Sequence, residues 1–425
     1  MTTVLLLGFR ILLGLFLMAY CAYACLTVWA AHRWRKARQP LNPTWTPAVT
    51  LLKPVCGVDA EAYENFASFC RLDYPTDRLQ ILFGVLDSAD PVIPLLQRLQ
   101  TDFPHLDIAL HCGNPGAVQG LNFKVCNLLM LLPFAKHEIL VLCDSDMRVT
   151  PNYLRQVVAP FEDSRDLTQR RKDAKTKREA NHEGHGEHRE SPSSKVGSVG
   201  LVTCPYRGFR VQSFAAILES LGIGADFIPS ALVSRATEGV GFAFGSTIAL
   251  PRTVLEEIGG MEALLNELAD DFRLGNGVKL AGYEVVLSDY VVEDVLGRER
   301  FGLMWKRRLR WARTVRACRP VGYAGSFVTY GTVWAWLFLG AMGFSRMGWT
   351  IAGSVLALRL ITAFWVACCY TQDSNIPRYL PLLPLSDLFS FTLYVASYCG
   401  NGIVWRGERF RLLPGGKLAR RETTS

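Results

Sequence analysis

The sequence predicts an α/β domain on a mostly parallel sheet, joined to membrane helices at both ends, and three observations predict it. Strand-like and helix-like segments alternate from about residue 47 to 149. An uncharged apolar run, Ile11–Ala31, precedes them, and three further apolar stretches lie beyond residue 325. Parallel strands need crossover helices, so such alternation favours a doubly wound sheet.

The alternation runs as follows. A short apolar strand, Ala48–Leu52, ends at Lys53-Pro54, and residues 60–71 are helix-like. Gln80–Leu86 is a strand ended by Asp87, residues 92–102 are helical, and Leu106–His111 is a third strand. Residues 122–132 are helical, and Ile139–Cys143 is a fourth strand, followed by Asp144-Ser145-Asp146. Ligands of such sheets bind beyond the carboxyl ends of the strands, where Asp87, Asp144 and Asp146 fall. A strand at Gly200–Cys204 opens a second half. It continues with a helix near 213–222, a Gly-rich apolar stretch Gly239–Leu250, a helix at 252–258, the acidic turn Leu268-Ala-Asp270-Asp271 and a strand near 284–292. Residues 301–323 interleave arginines with Trp305 and Trp311, as an amphipathic helix lying in a membrane interface would.

Ile11–Ala31 is long enough to cross the ~30 Å hydrocarbon core. Its basic flank follows it (His32, Arg33, Arg35, Lys36, Arg38), which predicts an uncleaved anchor with residues 40–320 in the cytosol. Ser326–Ser345, Trp349–Tyr370 (with Arg359) and Tyr379–Gly400 (with Asp387, Pro381 and Pro384) are candidate C-terminal spans. Three such spans would place the basic tail outside, against the positive-inside rule. Either the proline-bearing last segment is re-entrant or interfacial, or the rule fails here. Residues 163–195 hold nine Lys/Arg, seven Asp/Glu and three His and are expected to form a solvated, disordered insertion. The 12 cysteines show no zinc spacing,. The net charge of +8 fits a membrane-surface protein better than a nucleic-acid binder,.

Two acids ending a buried strand are costly without a partner. A divalent cation and a diphosphate are natural partners for Asp144 and Asp146. Haloacid-dehalogenase-type phosphatases place Asp-x-Asp similarly but expect Thr or Val where Arg148 stands. Asp270-Asp271 suits a helix N-terminus or a general base. Arg307-Arg308-Leu309-Arg310-Trp311 suits anionic headgroups or a diphosphate clamp.

These motifs, in this order, resemble a family-2-type glycosyltransferase of GT-A fold, and specifically the ceramide glucosyltransferase family (glycosyltransferase family 21), with its bacterial hopanoid-associated branch nearest. The matching residues run from Leu52–Asp59 through Leu72–Pro75, Phe83–Asp87, Lys124–Leu128, Cys143–Val149, Gly200–Tyr206 and Leu268–Asp271 to Arg307-x-x-Arg310-Trp311. The resemblance implies that Asp87 faces the nucleotide base. It further implies that Asp144 and Asp146 bind a UDP-sugar and its Mg2+ or Mn2+, with Lys124 a further nucleotide-binding residue. Asp271 would be the catalytic base, and Arg307, Arg310 and Trp311 would hold the diphosphate and acceptor. Eukaryotic members carry Gly where Asp146 stands. The implied organisation is an anchor (1–38), a cytosolic GT-A domain (45–320, with the insertion at 163–195 and the interfacial helix at 301–323), membrane segments (326–400) and a basic tail (401–425). The implied activity is inverting transfer of a hexose or N-acetylhexosamine to a lipid hydroxyl, in a multi-pass protein of a bacterial inner membrane. A polysaccharide synthase and a membrane phosphatase are the alternatives.

Overall fold

The computed structural model describes residues 2–38, 41–42, 44–113, 120–162 and 197–420. The charged insertion, with its His182–His188 patch, lies outside them. The chain forms two units. One comprises 38–205 and 238–294; the other comprises 1–37, 206–237 and 295–425.

The first unit is built on a seven-stranded sheet. Its strands are β1 (Val49–Val55), β2 (Leu79–Val85), β3 (Asp107–Cys112), β4 (Ile139–Leu142), β5 (Val199–Thr203), β6 (Ile248–Pro251) and β7 (Glu284–Leu287), in the order β3-β2-β1-β4-β6-β5-β7. β1 pairs in parallel with β2 and β4, β2 with β3, and β5 with β7. β6 runs antiparallel to both β4 and β5, so the sheet is mostly parallel, as the sequence suggested, with one reversed strand. β1 and β2 are buried throughout, as expected for strands covered on both faces. Helix Phe123–Leu131 packs on the sheet where Gly84 leaves room: a Cβ there would lie 1.9 Å from Asn127 Oδ1. Asn127 Nδ2 donates to Gly84 O at 2.7 Å. The single strand expected near 284–292 is two, β7 and Val292–Gly297, the second pairing antiparallel with Met147–Arg148.

The second unit is helical. Among the described residues, four helical segments are long and apolar enough to cross a membrane: Val4–Lys36, Phe214–Glu238, Arg346–Thr371 and Asn375–Tyr398. Phe214–Glu238 is two-thirds buried inside the protein, whereas Val4–Lys36 is only 17% buried and turns Leu5, Leu12, Leu15 and Met18 outward. The expected span at Ser326–Ser345 is instead a 3-10 turn, Ser326–Thr329, and the 11-residue helix Gly331–Ala341. That helix is about 16 Å long, roughly half the hydrocarbon thickness. Gly331 lies so close to Tyr20 that a Cβ would meet the ring at 2.4 Å. The amphipathic segment divides at Arg319-Pro320 into Phe301–Cys318 and Pro320–Gly325, because proline cannot donate into the preceding turn. The tail is not loose. Gly402–Trp405, Glu408–Leu412 and Leu418–Arg420 form a small antiparallel sheet.

The two charges inside the apolar C-terminal stretches find each other. Arg359 Nη2 donates to Asp387 Oδ1 at 2.7 Å and Arg359 Nη1 to Ala225 O at 2.9 Å; Asp226 closes the cluster as a second ion-pair partner. Thr332 donates to Asp387 and Ser390 to Asp226. Removing one member of a buried ion pair strands the others at a cost of about 3–5 kcal/mol. Arg359→Leu should therefore lower the thermal midpoint of the detergent-solubilised protein by several degrees, and Arg359→Leu/Asp387→Leu should recover part of the loss.

Candidate active site

The edge of the first unit's sheet gathers charge. Asp87 stands two residues beyond β2 and Asp144 two beyond β4, on either side of β1. Asp87 is exposed and accepts a turn hydrogen bond from Ala89 N at 2.9 Å. Asp144 is held from several directions. Its N–H donates to Gly245 O at 3.1 Å, and its carbonyl accepts from Lys53 Nζ at 2.9 Å. Lys53 is fully buried within β1 and lies 3.7 Å from the centre of the Phe69 ring, so its charge is stabilised by a carbonyl and a π face. Ser145 Oγ donates to Asp59 Oδ2 at 2.6 Å, tying the middle of the Asp-x-Asp turn to the segment after β1. Arg148 pairs with Glu61 at 2.9 Å and with Asn65, which anchors the turn's far side.

Lys124 joins this edge to the second acidic motif. Its ammonium lies 2.6 Å from Asp144 Oδ1 and 3.5 Å from Asp270 Oδ2. Burial opposes its charge, but Asp144, Asp270 and Asp271 outweigh that and hold it above the usual lysine range. Lys124 stands at the start of helix Phe123–Leu131, capped by Asn122, whose Oδ1 accepts from Lys124 N and Val125 N. The same side chain donates to Glu267 O at 2.7 Å and Asp270 Oδ1 at 3.2 Å. Asn122 therefore fixes the Asp270-Asp271 turn against the lysine that bridges it. Helix Asp270–Leu280 starts at the acids themselves, and no side chain caps it. Asp271 Oδ1 accepts from Phe272 N at 2.7 Å. Its carboxyl is pushed up to about 6, by burial and by neighbouring Asp270, against the pull of Lys124.

Asp144, Lys124, Asp270 and Asp271 are thus brought into one cluster, with Asp146 two residues on. Sequence reasoning missed three supports: Asn122, Asp59 and Gly245. An Asn before a helix is a legible cap signal. Gly245 was visible only as part of a Gly-rich stretch. A Cβ there would lie 2.4 Å from Asp144 Oδ2 and 3.0 Å from Lys124 Nζ. Among the described residues no three His, Cys, Asp or Glu side chains form a metal cage. The chemistry of the acids nevertheless suits a hard cation: Asp144 and Asp146 offer only carboxylate oxygens, and Mg2+ is commonly held by one or two carboxylates completed by substrate phosphates.

Arg307, Arg310 and Trp311 lie on helix Phe301–Cys318 of the second unit. Arg307, expected to clamp diphosphate, is engaged within that unit by Glu219 and Glu299 and stands 5.6 Å over the Trp311 ring. Glu219 is fully buried. Burial, then the hydrogen bond and charge of Glu219, push the Glu299 carboxyl up to about 8. Arg310 lies 5.7 Å over the Trp405 ring.

A mainly parallel sheet with acids and a bridging lysine at its carboxyl edge has the architecture of a GT-A glycosyltransferase. A mannosyltransferase from Pyrobaculum calidifontis, solved in complex with GDP-mannose and Mn2+, has this fold too, with a TM-score of 0.51 at 17% identity over 92% of this chain and 97% of its own. The chain belongs to glycosyltransferase family 21, whose model matches residues 12–168 and 193–418. Ceramide glucosyltransferase 1 of Caenorhabditis elegans is 22% identical over 89% of this chain and 74% of its own length. The ceramide glucosyltransferase of Candida albicans is 35% identical over 26% of this chain, a match covering 22% of that protein.

Gly245→Ala should cut transfer about tenfold or more, equivalent to ~1.4 kcal/mol of transition-state stabilisation. The methyl must displace Asp144 or Lys124, so the loss should come with circular dichroism unchanged.

Proposed function

We propose that this protein transfers a hexose or N-acetylhexosamine from a UDP-sugar to the hydroxyl of a membrane lipid, inverting the anomeric configuration. The observation that carries the reading is the Lys124 cluster, which sets a half-buried carboxylate of raised pKa, Asp271, within the charge field of the lysine paired with Asp144. A base poised near neutrality takes a proton efficiently. The membership of family 21 supports glycosyl transfer, and the ceramide glucosyltransferase relatives support a lipid acceptor. A hopanoid is the second acceptor of the same chemistry.

In the reaction, Asp87 contacts the base of the donor. Asp144 and Asp146 would hold Mg2+ or Mn2+. Such a cation would supply Lewis-acid stabilisation of the leaving diphosphate, a contribution of several kcal/mol. Lys124 keeps Asp144 aimed and adds fixed positive charge beside the leaving group. Asp271 accepts the proton of the lipid hydroxyl as its oxygen attacks the anomeric carbon, and one base with direct displacement gives inversion. Arg310 and Trp311 are the proposed diphosphate and acceptor groups of the Arg-x-x-Arg-Trp motif, and Arg307 positions their helix through Glu219 and Glu299. After that motif only two helical segments reach spanning length among the described residues. A channel-forming polysaccharide synthase needs more, which favours the single-transfer reading. The apolar helical unit and the basic flank of the first helix support an integral membrane protein with residues 38–205 and 238–294 on the cytosolic side.

The direct test incubates membranes with labelled UDP-glucose or UDP-N-acetylglucosamine and with added ceramide or hopanoid, and identifies the labelled lipid. Labelled lipid that disappears with EDTA and returns with Mg2+ or Mn2+ is the expected result; phosphate release from monoesters instead would establish the phosphatase alternative.

Asp271→Asn should lower kcat by ~10²–10⁴-fold with UDP binding retained. The rate of the unsubstituted enzyme should rise through about pH 6 as Asp271 ionises and level off above it. The sign for stability is opposite. A carboxyl raised above its unfolded value of about 4 favours the protonated folded state, so its ionisation weakens folding as pH rises through about 6. Asp271→Asn should therefore melt higher than the unsubstituted protein at pH 7 and show little difference at pH 4.

A further inference from the structure

The basic tail raises a question of sides that the second unit answers. The first helix runs from Thr2 to Lys36. Helix Gly331–Ala341 returns along it, from Gly331 beside Tyr20 to Ala341, whose carbonyl accepts from Arg10 Nε at 2.8 Å. Helix Arg346–Val366 and its continuation then run the other way, bringing Tyr370 to 6.3 Å from His32, at the basic end of the first helix. The last apolar helix, Leu383–Tyr398, lies in a segment with the length and apolarity of a span but has a strongly basic neighbour. It lies alongside the Arg-rich helix Phe301–Cys318, with Phe389 5.6 Å from both Phe301 and Trp305, and Tyr398 5.3 Å beneath Arg316. A helix carrying Lys306, Arg307, Arg308, Arg310, Arg313 and Arg316 cannot sit in hydrocarbon, so its neighbour lies at the interface too.

The chain then enters the C-terminal sheet at the same place. Arg313 donates to Gly402 O and, at 3.1 Å, to Cys399 O. Arg316 donates to Asn401 Oδ1 and, at 3.3 Å, to Gly400 O. The sheet is formed by a two-residue hairpin at Arg406-Gly407, both with positive φ, and by Leu418–Arg420 on its other side. Its inner face is Ile403, Phe410, Leu412 and Leu418, all buried. Its outer face carries Arg409 opposite Val404, and Arg411 opposite Gly402 and Ala419, all but Gly402 and Ala419 fully outward. Arg406, Lys417 and Arg420 are exposed around it, and Glu408 is the one acid from 402 to 420. Among the described residues Arg409, Arg411, Lys417 and Arg420 have no carboxylate partner.

We propose that this sheet is a docking face for anionic lipid headgroups, on the side of the membrane that the basic end of the first helix occupies. Charge complementarity is the argument for that occupant. A cluster of exposed cations with a single acid, buttressed by an interfacial helix and adjoining a membrane segment, fits a negatively charged leaflet. The same placement satisfies the positive-inside rule, because the last proline-bearing segment does not cross.

The test reconstitutes the full-length protein in phosphatidylcholine vesicles with trace spin-labelled phosphatidylglycerol or spin-labelled phosphatidylcholine. The measurement is the motionally restricted fraction of each. The expected result is a severalfold preference for phosphatidylglycerol. It should shrink when salt rises from about 0.1 M to about 1 M, which shortens the Debye length from about 10 Å to about 3 Å. It should also fall in Arg409→Gln/Arg411→Gln/Lys417→Gln. Equal fractions for the two lipids in the unsubstituted protein, or a preference indifferent to both salt and the substitutions, would overturn the proposal. A C-terminal tag gives a second arm independent of folding of the variant: it should be protected or exposed together with a tag inserted at 163–195, and opposite behaviour of the two tags also overturns it.

Discussion

One ion cluster organises the charged edge of the sheet. The ammonium of Lys124 sits between Asp144, which ends a sheet strand, and Asp270, which starts a helix in the other half of the same unit. Each acid alone would resist burial. Together they hold a lysine that burial would otherwise neutralise, and the lysine in turn keeps like-charged groups together. Asn122 gives the cluster its rigidity, because one side chain caps the lysine's helix and grips the acidic turn. Gly245 gives it room. The arrangement has a cost in stability, seen in the raised pKa of Asp271, and that cost falls on the group proposed as the base.

The helical unit solves a different problem with the same means. Arg359, Asp226 and Asp387 interrupt apolar helices, yet each meets an opposite charge, with Thr332, Ser390 and Ala225 O satisfying the remaining sites. Glu219 and Glu299 do the same for Arg307. That engagement changes the meaning of the Arg-x-x-Arg-Trp motif. Its first arginine is engaged by Glu219 and Glu299, while Arg310 and Trp311 remain the members proposed to reach ligand. Buried charges are tolerated where hydrogen bonds complete them, and here they tie segments distant in sequence: 219 to 307, and 226 to 359 and 387.

Hydropathy alone does not set where an apolar helix rests; its packing partners matter too. Tyr379–Gly400 is as apolar as many spans, yet Leu383–Tyr398 runs beside the Arg-rich helix Phe301–Cys318. Ser326–Ser345 carries no charge, yet its helix is too short to cross unaided and begins midway along the first. Hydropathy windows measure composition; the partner helix decides where that composition comes to rest.

The sequence alone was enough for the α/β class, the acids at the ends of β2 and β4, the acidic pair at 270–271, the long apolar first helix and the family. These signals are local: a strand ending in carboxylates, a helix-period pattern, a charged flank after an apolar run. Tertiary structure decided the rest. The antiparallel β6, the bridge from Lys124 to Asp270, the close approach of Gly245 to Asp144, the engagement of Arg307 by Glu219, and the folded basic tail all join residues far apart in the chain. Periodicity and composition describe what each segment prefers on its own. Which segments meet is set by packing and by the need of buried charges for partners, and neither is written in any single window of the sequence.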